Sequence, residues 1–120
     1  MLIPIETKKT YWGGVDFVRA PTGLALKQIY MKAGTQSSME YHVVKDEIYW
    51  LTYGTLNLKI RDGRGVNRIV TLNEGGCFFI QRGMMHQRIA VTDLCIMEAC
   101  SCDSDEDTHI VFDGNLKEDV

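Results

Sequence analysis

The stretch Gly34–Gly54, GTQSSMEYHVVKDEIYWLTYG, sets Glu40, His42 and Glu47 in a run rich in aromatic and β-branched residues. That composition favours sheet. Residues two apart in a strand share a face, so Glu40 and His42 point the same way. Val43 to Asp46 can make a tight reversal, and the returning strand would bring Glu47 beside His42. Three metal-capable side chains would then converge across one hairpin. Further on, Gly75–Ile89 reads GGCFFIQRGMMHQRI, and His86 opens another strand after Gly83. If that strand lies beside the hairpin, a fourth ligand arrives. Imidazole and carboxylate together suit a divalent transition metal such as manganese, iron, nickel or zinc.

The rest of the chain reads as short strands and turns. LALKQIYM (Leu24–Met31), EIYWLTY, TLNLKIR, NRIVTL, CFFI, HQRIAV, LCIMEAC and HIVF are apolar or alternating runs bounded by turn residues. Asp62-Gly63 is a hairpin signal. Pro4 and Pro21 fall outside these runs, as a sheet interior requires. The expectation is an all-β, mostly antiparallel sandwich or barrel. With 120 residues, one domain is expected, with a barrel core over about 22–113 and an N-terminal arm over 1–21.

Composition limits the partners. A formal net charge of -3 gives no electrostatic footprint for nucleic acid. No apolar run is long enough to span a bilayer, and MLIPIETKK does not read as a signal peptide. The expected compartment is therefore the cytoplasm, where Cys77, Cys95, Cys100 and Cys102 would be reduced thiols. Cys100-x-Cys102 is too short a pair to define a metal site alone. Asp103–Asp107, DSDED, reads as a solvated acidic turn.

The spacing Gly34, Glu40, His42, Glu47, Gly54 resembles the first cupin motif, Gly-x5-His-x-His-x4-Glu-x6-Gly. Gly75, Gln81, Gly83, His86 and Ala90 resemble the second, Gly-x5-Pro-x-Gly-x2-His-x3-Asn, with its proline and asparagine replaced. The resemblance implies a jelly-roll barrel, the double-stranded β-helix of cupins, holding one divalent metal at Glu40, His42, Glu47 and His86. Glu40 stands where the motif has a histidine. The cupin domain of type II mannose-6-phosphate isomerases carries a glutamine there, and this chain resembles that family over about residues 10 to 117. Trp12-Gly13, Lys27, Glu98 and DEDTHIVFDG each match features of it. Two arginines of that family are absent, where this chain has Ile110 and Asn115-Leu116-Lys117.

The resemblance implies a metal-dependent isomerase, or a related lyase, acting on a sugar phosphate or related carbohydrate. Isomerisation needs a polarised carbonyl and a base. Glu47, Lys27 and Tyr49 are the candidates for catalytic roles, with His109 a possible relay. Tyr30, Arg82, Arg88 and Lys117 are the candidates for substrate binding. Lys27 reads equally as an edge-strand charge. By alternation Tyr49 and Tyr53 share the face of Glu47, and Trp50 faces a second layer or a subunit interface. The same metal cage would serve a non-haem iron dioxygenase or a carbohydrate-binding cupin without turnover. A homodimer is expected, through an edge strand or through Leu2, Ile3 and Ile5 of the arm.

Overall fold

Alternation of buried and exposed residues organises the strands of the computed structural model, which describes residues 1–62 and 65–114. In β5 (Glu47–Tyr53), Glu47, Tyr49 and Leu51 are buried, while Ile48 and Trp50 are exposed. In β6 (Leu56–Asp62), Leu56, Leu58 and Ile60 point inward. In β10 (Leu94–Cys100), Leu94, Ile96, Glu98 and Cys100 do so. Each buried aliphatic side chain contributes roughly 1.5–3 kcal/mol relative to exposure.

Two antiparallel sheets face each other across this core. The first has β1 (Glu6–Thr10), β2 (Gly13–Arg19), β3 (Ala25–Met31), β10, β5 and β8 (Cys77–Ile80), in that order. The second has β11 (His109–Phe112), β4 (Met39–Tyr41), β9 (Met85–Ala90), β6 and β7 (Val66–Leu72). The non-sequential strand order is that of a jelly roll. Trp12, Ile29, Tyr49, Leu51, Leu58, Ile60, Ile80 and Ile96 fill the space between the sheets. The all-β antiparallel expectation holds.

Within the expected N-terminal arm, β1 and β2 extend the first sheet beyond β3, pairing Glu6 with Phe17 and Arg19 with Ala25. Two readings of the sequence differ from the structure. Lys27 is not on an edge, because β3 lies between β2 and β10. Glu40-x-His42 and Glu47 do not share a hairpin. β4 belongs to the second sheet and β5 to the first, so Val43–Asp46 crosses from one sheet to the other. His42 and Glu47 therefore meet across the barrel interior.

Gly34, Gly54, Gly75 and Gly83, which carry the spacing of the two motifs, all have φ between 81° and 84°. Gly54 shows why: besides its φ of 83°, a Cβ there would run into the Asp93 carbonyl. Gly83 also donates its N–H to the His42 carbonyl at 2.6 Å, tying the two motif segments together. β6 and β7 pair antiparallel, with Asp62 opposite Val66. Gly63 and Arg64 themselves lie outside the described residues, as do Asn115, Leu116 and Lys117. The alternation of β5 breaks at its end. A register shift at Cys95/Ile96 leaves Tyr53 exposed instead of inward with Tyr49.

Candidate metal centre

Strand register and one loop crossing assemble the four expected ligands. Glu40 on β4 is directly opposite His86 on β9. His42, just beyond β4, turns its Nε2 to within 2.9 Å of Glu47 Oε1 and 3.8 Å of Glu40 Oε1. His86 Nε2 lies 3.4 Å from the same Glu47 oxygen. His42, Glu47 and His86 are almost wholly buried, and Glu40 is half-buried.

The second nitrogen of each imidazole is committed. His42 Nδ1 donates to the Asp107 carbonyl at 3.1 Å, and His86 Nδ1 to the Met84 carbonyl at 2.9 Å. A neutral ring so held turns an Nε2 lone pair inward. His42 Nε2, Glu47 Oε1 and His86 Nε2 are buried with no hydrogen-bond partner of proper geometry. Two lone pairs and an anionic oxygen facing one another without a donor are costly alone. A divalent cation satisfies all three. Glu40 groups with His42 and His86, their ligand atoms lying within 4.8 Å of one another.

Without a cation, the buried groups can only answer one another, a proton on His42 standing in for the missing positive charge. Burial disfavours the Glu47 carboxylate, but His42, His86 and Lys45 outweigh it and hold its pKa far below the usual range. Burial opposes charge on His42, yet Glu47 raises its pKa. For His86 burial wins, and the ring is kept neutral.

A second acidic group, Glu47, Glu98 and Cys100, lies behind the first. Its cation is already present. Lys45 Nζ sits 3.8 Å from Glu98, 3.9 Å from Cys100 Sγ, 4.0 Å from Glu47 and 2.8 Å from Asp103. The Cys100 thiol donates to Glu98 at 2.6 Å, and burial with the neighbouring Glu98 pushes its pKa far up. It is a protonated core thiol, while Cys102 is exposed, and all four cysteines are free.

The DSDED segment is corrected from solvated turn to scaffold. Asp103 is buried and paired with Lys45, Lys27 at 2.9 Å, and Arg19. Asp107 is buried too, in the short 3-10 turn Asp105–Asp107. Its carboxylate accepts backbone N–H groups of Val43, Val44 and Lys45 at 2.8 to 3.1 Å. Only Asp105 and Glu106 are exposed. Sequence reasoning missed Lys45, Asp103 and Asp107. A carboxylate four residues from another looks the same whether it faces water or the loop it organises.

A cavity of about 190 Å³ opens onto this centre. Glu40, His42 and Glu47 line it with Trp12, Lys27, Lys45, Arg88 and Glu98. Arg88 lies two residues after His86, on the same face of β9. Its guanidinium donates to the Tyr49 hydroxyl at 2.9 Å and sits over the Trp12 ring at 5.0 Å. Tyr49 is fully buried with its ring nearly perpendicular to that of His86, and it is not among the cavity-lining residues. Burial pushes its hydroxyl pKa well up.

Other expected site residues lie elsewhere. Tyr30 lines a larger, shallower concavity of about 600 Å³ on the outer face, with Lys9, Tyr53 and Asp93. Arg82 is outside the cavity, holding Asp46 at 2.9 Å. His109 is stacked on Tyr41 with ring centroids 5.0 Å apart, also away from the cavity. Lys117 falls outside the described residues.

This architecture is the cupin fold, a double-stranded β-helix. Among solved structures, one variant of Bacillus subtilis oxalate decarboxylase superposes with a TM-score of 0.80 at 18% identity, covering 89% of this chain. A Bacillus subtilis oxalate decarboxylase structure from a study of its Mn(II) centres gives 0.79 at 19%, with the same coverage. This chain spans 30% of the length of either. No protein-family model and no curated protein matches the sequence. No helix among the described residues is long and apolar enough to cross a membrane.

Proposed function

We propose that the chain is a metal-dependent cupin enzyme whose single divalent ion is held by Glu40, His42, Glu47 and His86. The observation that carries this is the trio of orphaned buried atoms, His42 Nε2, Glu47 Oε1 and His86 Nε2, turned toward one point. When bound, the ion would supply Lewis-acid polarisation of a substrate oxygen. The protein supplies the rest. The Asp107 and Met84 carbonyls fix both imidazole tautomers. Lys45 faces the second oxygen of Glu47 from 4.0 Å, while the first turns to the two histidines. The cavity has room for a small molecule.

A lyase-type reaction on a small hydroxy acid or related acid is the reading we favour. The likeness to manganese-containing oxalate decarboxylase supports it, as does the cavity size. Isomerisation of a sugar phosphate is the second reading. It rests on the isomerase-like sequence pattern and on Lys8, Arg19 and Lys27 along the cavity wall. A cytoplasmic location fits either reading.

The protein is further proposed to be a homodimer, paired through the outer face of its first sheet. Ile48, Trp50 and Phe79 are half exposed there, and Leu26 continues the patch across Ala99. Ile5 of the N-terminal segment shares a surface concavity with Leu26 and Met97. Four strands at about 4.8 Å spacing and 3.3 Å rise give a face of roughly 400 Å² in projection. That is within the range of the largest apolar patch on a monomer, and the N-terminal residues would enlarge it toward the usual 800 Å² per partner.

The test of activity is a screen of protein loaded with Mn(II), Fe(II), Ni(II) or Zn(II). Small hydroxy acids, dicarboxylic acids and sugar phosphates are offered under air and under argon. Turnover that needs metal and not oxygen supports the proposal. Oxygen uptake with Fe(II) alone would make the chain a dioxygenase. Saturable binding with no product in any metal form would make it a binding protein.

A further inference from the structure

Arg88 is the one buried cation of the cavity that no carboxylate holds. Lys45 and Lys27 are both paired with Asp103. Arg88 is 7% exposed, and among the described residues no carboxylate oxygen comes within ion-pair distance of it. Among the described residues the guanidinium's single hydrogen-bond partner is the Tyr49 hydroxyl, and its Nε is buried without any. The Trp12 and Tyr49 rings, at 5.0 and 6.0 Å, offset part of the cost. They cannot replace an anion, since a ring face accepts charge but leaves the in-plane donors unmet. The planar fork of a guanidinium matches a carboxylate in particular.

We propose that Arg88 is an anion subsite for the carboxylate of a small acid that carries a second oxygen toward the Glu40–His42–Glu47–His86 centre. This deepens the function proposed above, and rests on it only for where the second oxygen goes. Side chains two apart on one strand face stand about 7 Å apart, which an α-hydroxy or α-keto acid, or a short dicarboxylate, can span. The 190 Å³ cavity has room for about six water molecules' volume, enough for such an acid. A hexose phosphate would have to protrude through the mouth. Tyr49 acts as a positioning residue, because its hydroxyl orients the guanidinium and meets no ligand itself.

Trp12 lies under Arg88 and gives a direct readout. Trp12 and Trp50 are the only tryptophans, so Trp50→Phe leaves Trp12 as sole reporter. In that background, Trp12 fluorescence is titrated with glycolate, malonate, inorganic phosphate and glycerol, in metal-free and Zn(II)-loaded protein. Glycolate or malonate should saturate the signal, and glycerol should not. Arg88→Met should weaken their binding at least tenfold and Arg88→Lys less, with metal stoichiometry unchanged in both. If Arg88→Met does not fold, Arg88→Lys and Tyr49→Phe decide, each expected to weaken glycolate while retaining metal. Unchanged glycolate affinity in the folded Arg88 variants, or no saturable carboxylate binding to wild type, would overturn the subsite. Phosphate binding more tightly than both acids would overturn the carboxylate assignment. Loss of metal binding in wild type with Arg88-dependent glycolate binding intact would sink the metal reading instead.

Discussion

Glu40 and His86 are register partners across the β4–β9 pair, so the residue that departs from the usual histidine sits opposite the histidine of the second motif. The departure adds a negative charge at the mouth of the centre. With Glu47 also ionised, the two carboxylates and two neutral imidazoles would neutralise a divalent ion.

Glu40→Gln is therefore expected to keep the fold and the metal while weakening binding, because one anionic ligand is lost. The bound ion becomes a stronger Lewis acid, its water more acidic, and any metal-dependent activity shifts its optimum to lower pH. Glu40→Ala opens a coordination position and weakens the metal further. Competition with a chromogenic chelator measures both. Affinities equal to wild type in both variants would make Glu40 a rim charge.

Asp107 organises the ligand loop without touching the centre. Its carboxylate collects the N–H groups of Val43, Val44 and Lys45, and its carbonyl orients His42. Asp107→Ala should lower metal affinity about 10- to 100-fold, the usual cost of losing a supporting partner. The same chelator competition reads this. An unchanged affinity would show that the loop holds its shape alone.

The Asp103 cluster sets acid stability. Burial opposes its ionisation, but Lys45 and Lys27 hold its pKa far below the usual carboxylate range. A depressed folded pKa stabilises above the unfolded value of about 3.9 and is lost as pH falls below it. Asp103→Asn leaves Lys45 buried without its closest partner, and should cost about 3–5 kcal/mol at neutral pH. Urea unfolding at pH 7 and pH 3.5 should show this gap narrowing in acid. A variant within 1 kcal/mol (roughly the worth of an exposed pair) would mean Glu98 and Glu47 suffice for Lys45.

The outer face of the first sheet predicts the oligomer. Trp50→Glu should convert a dimer to a monomer, because a charge would be buried at the centre of the patch. Sedimentation velocity at micromolar concentration is the measurement. Wild type that sediments only as monomer would remove the interface.

Strand positions and the four glycine turns were legible in the sequence, because alternation and positive φ leave local marks. The candidate ligands could be picked out for the same reason, since Glu40, His42, Glu47 and His86 keep a fixed spacing from those glycines. What could not be read was which sheet each strand joins. Alternation says that Glu47 and Tyr49 share a face, but not that β4 and β5 lie on opposite walls. Nor does it show which charges are buried. Lys45, Asp103 and Asp107 carry the chemistry of surface residues and are interior only because distant segments meet around them. The β1 and β2 strands were missed because none of their residues is fully buried.

The central claim is the cage, and metal stoichiometry tests it most directly. Wild type, His42→Ala, His86→Ala and Cys100→Ser would each be loaded with Mn(II) or Zn(II), dialysed, and measured by elemental analysis against protein concentration. One ion per chain is expected in wild type and Cys100→Ser, and almost none in either histidine variant. Stoichiometric metal in His42→Ala and His86→Ala, or its loss from Cys100→Ser with both histidines intact, would contradict it.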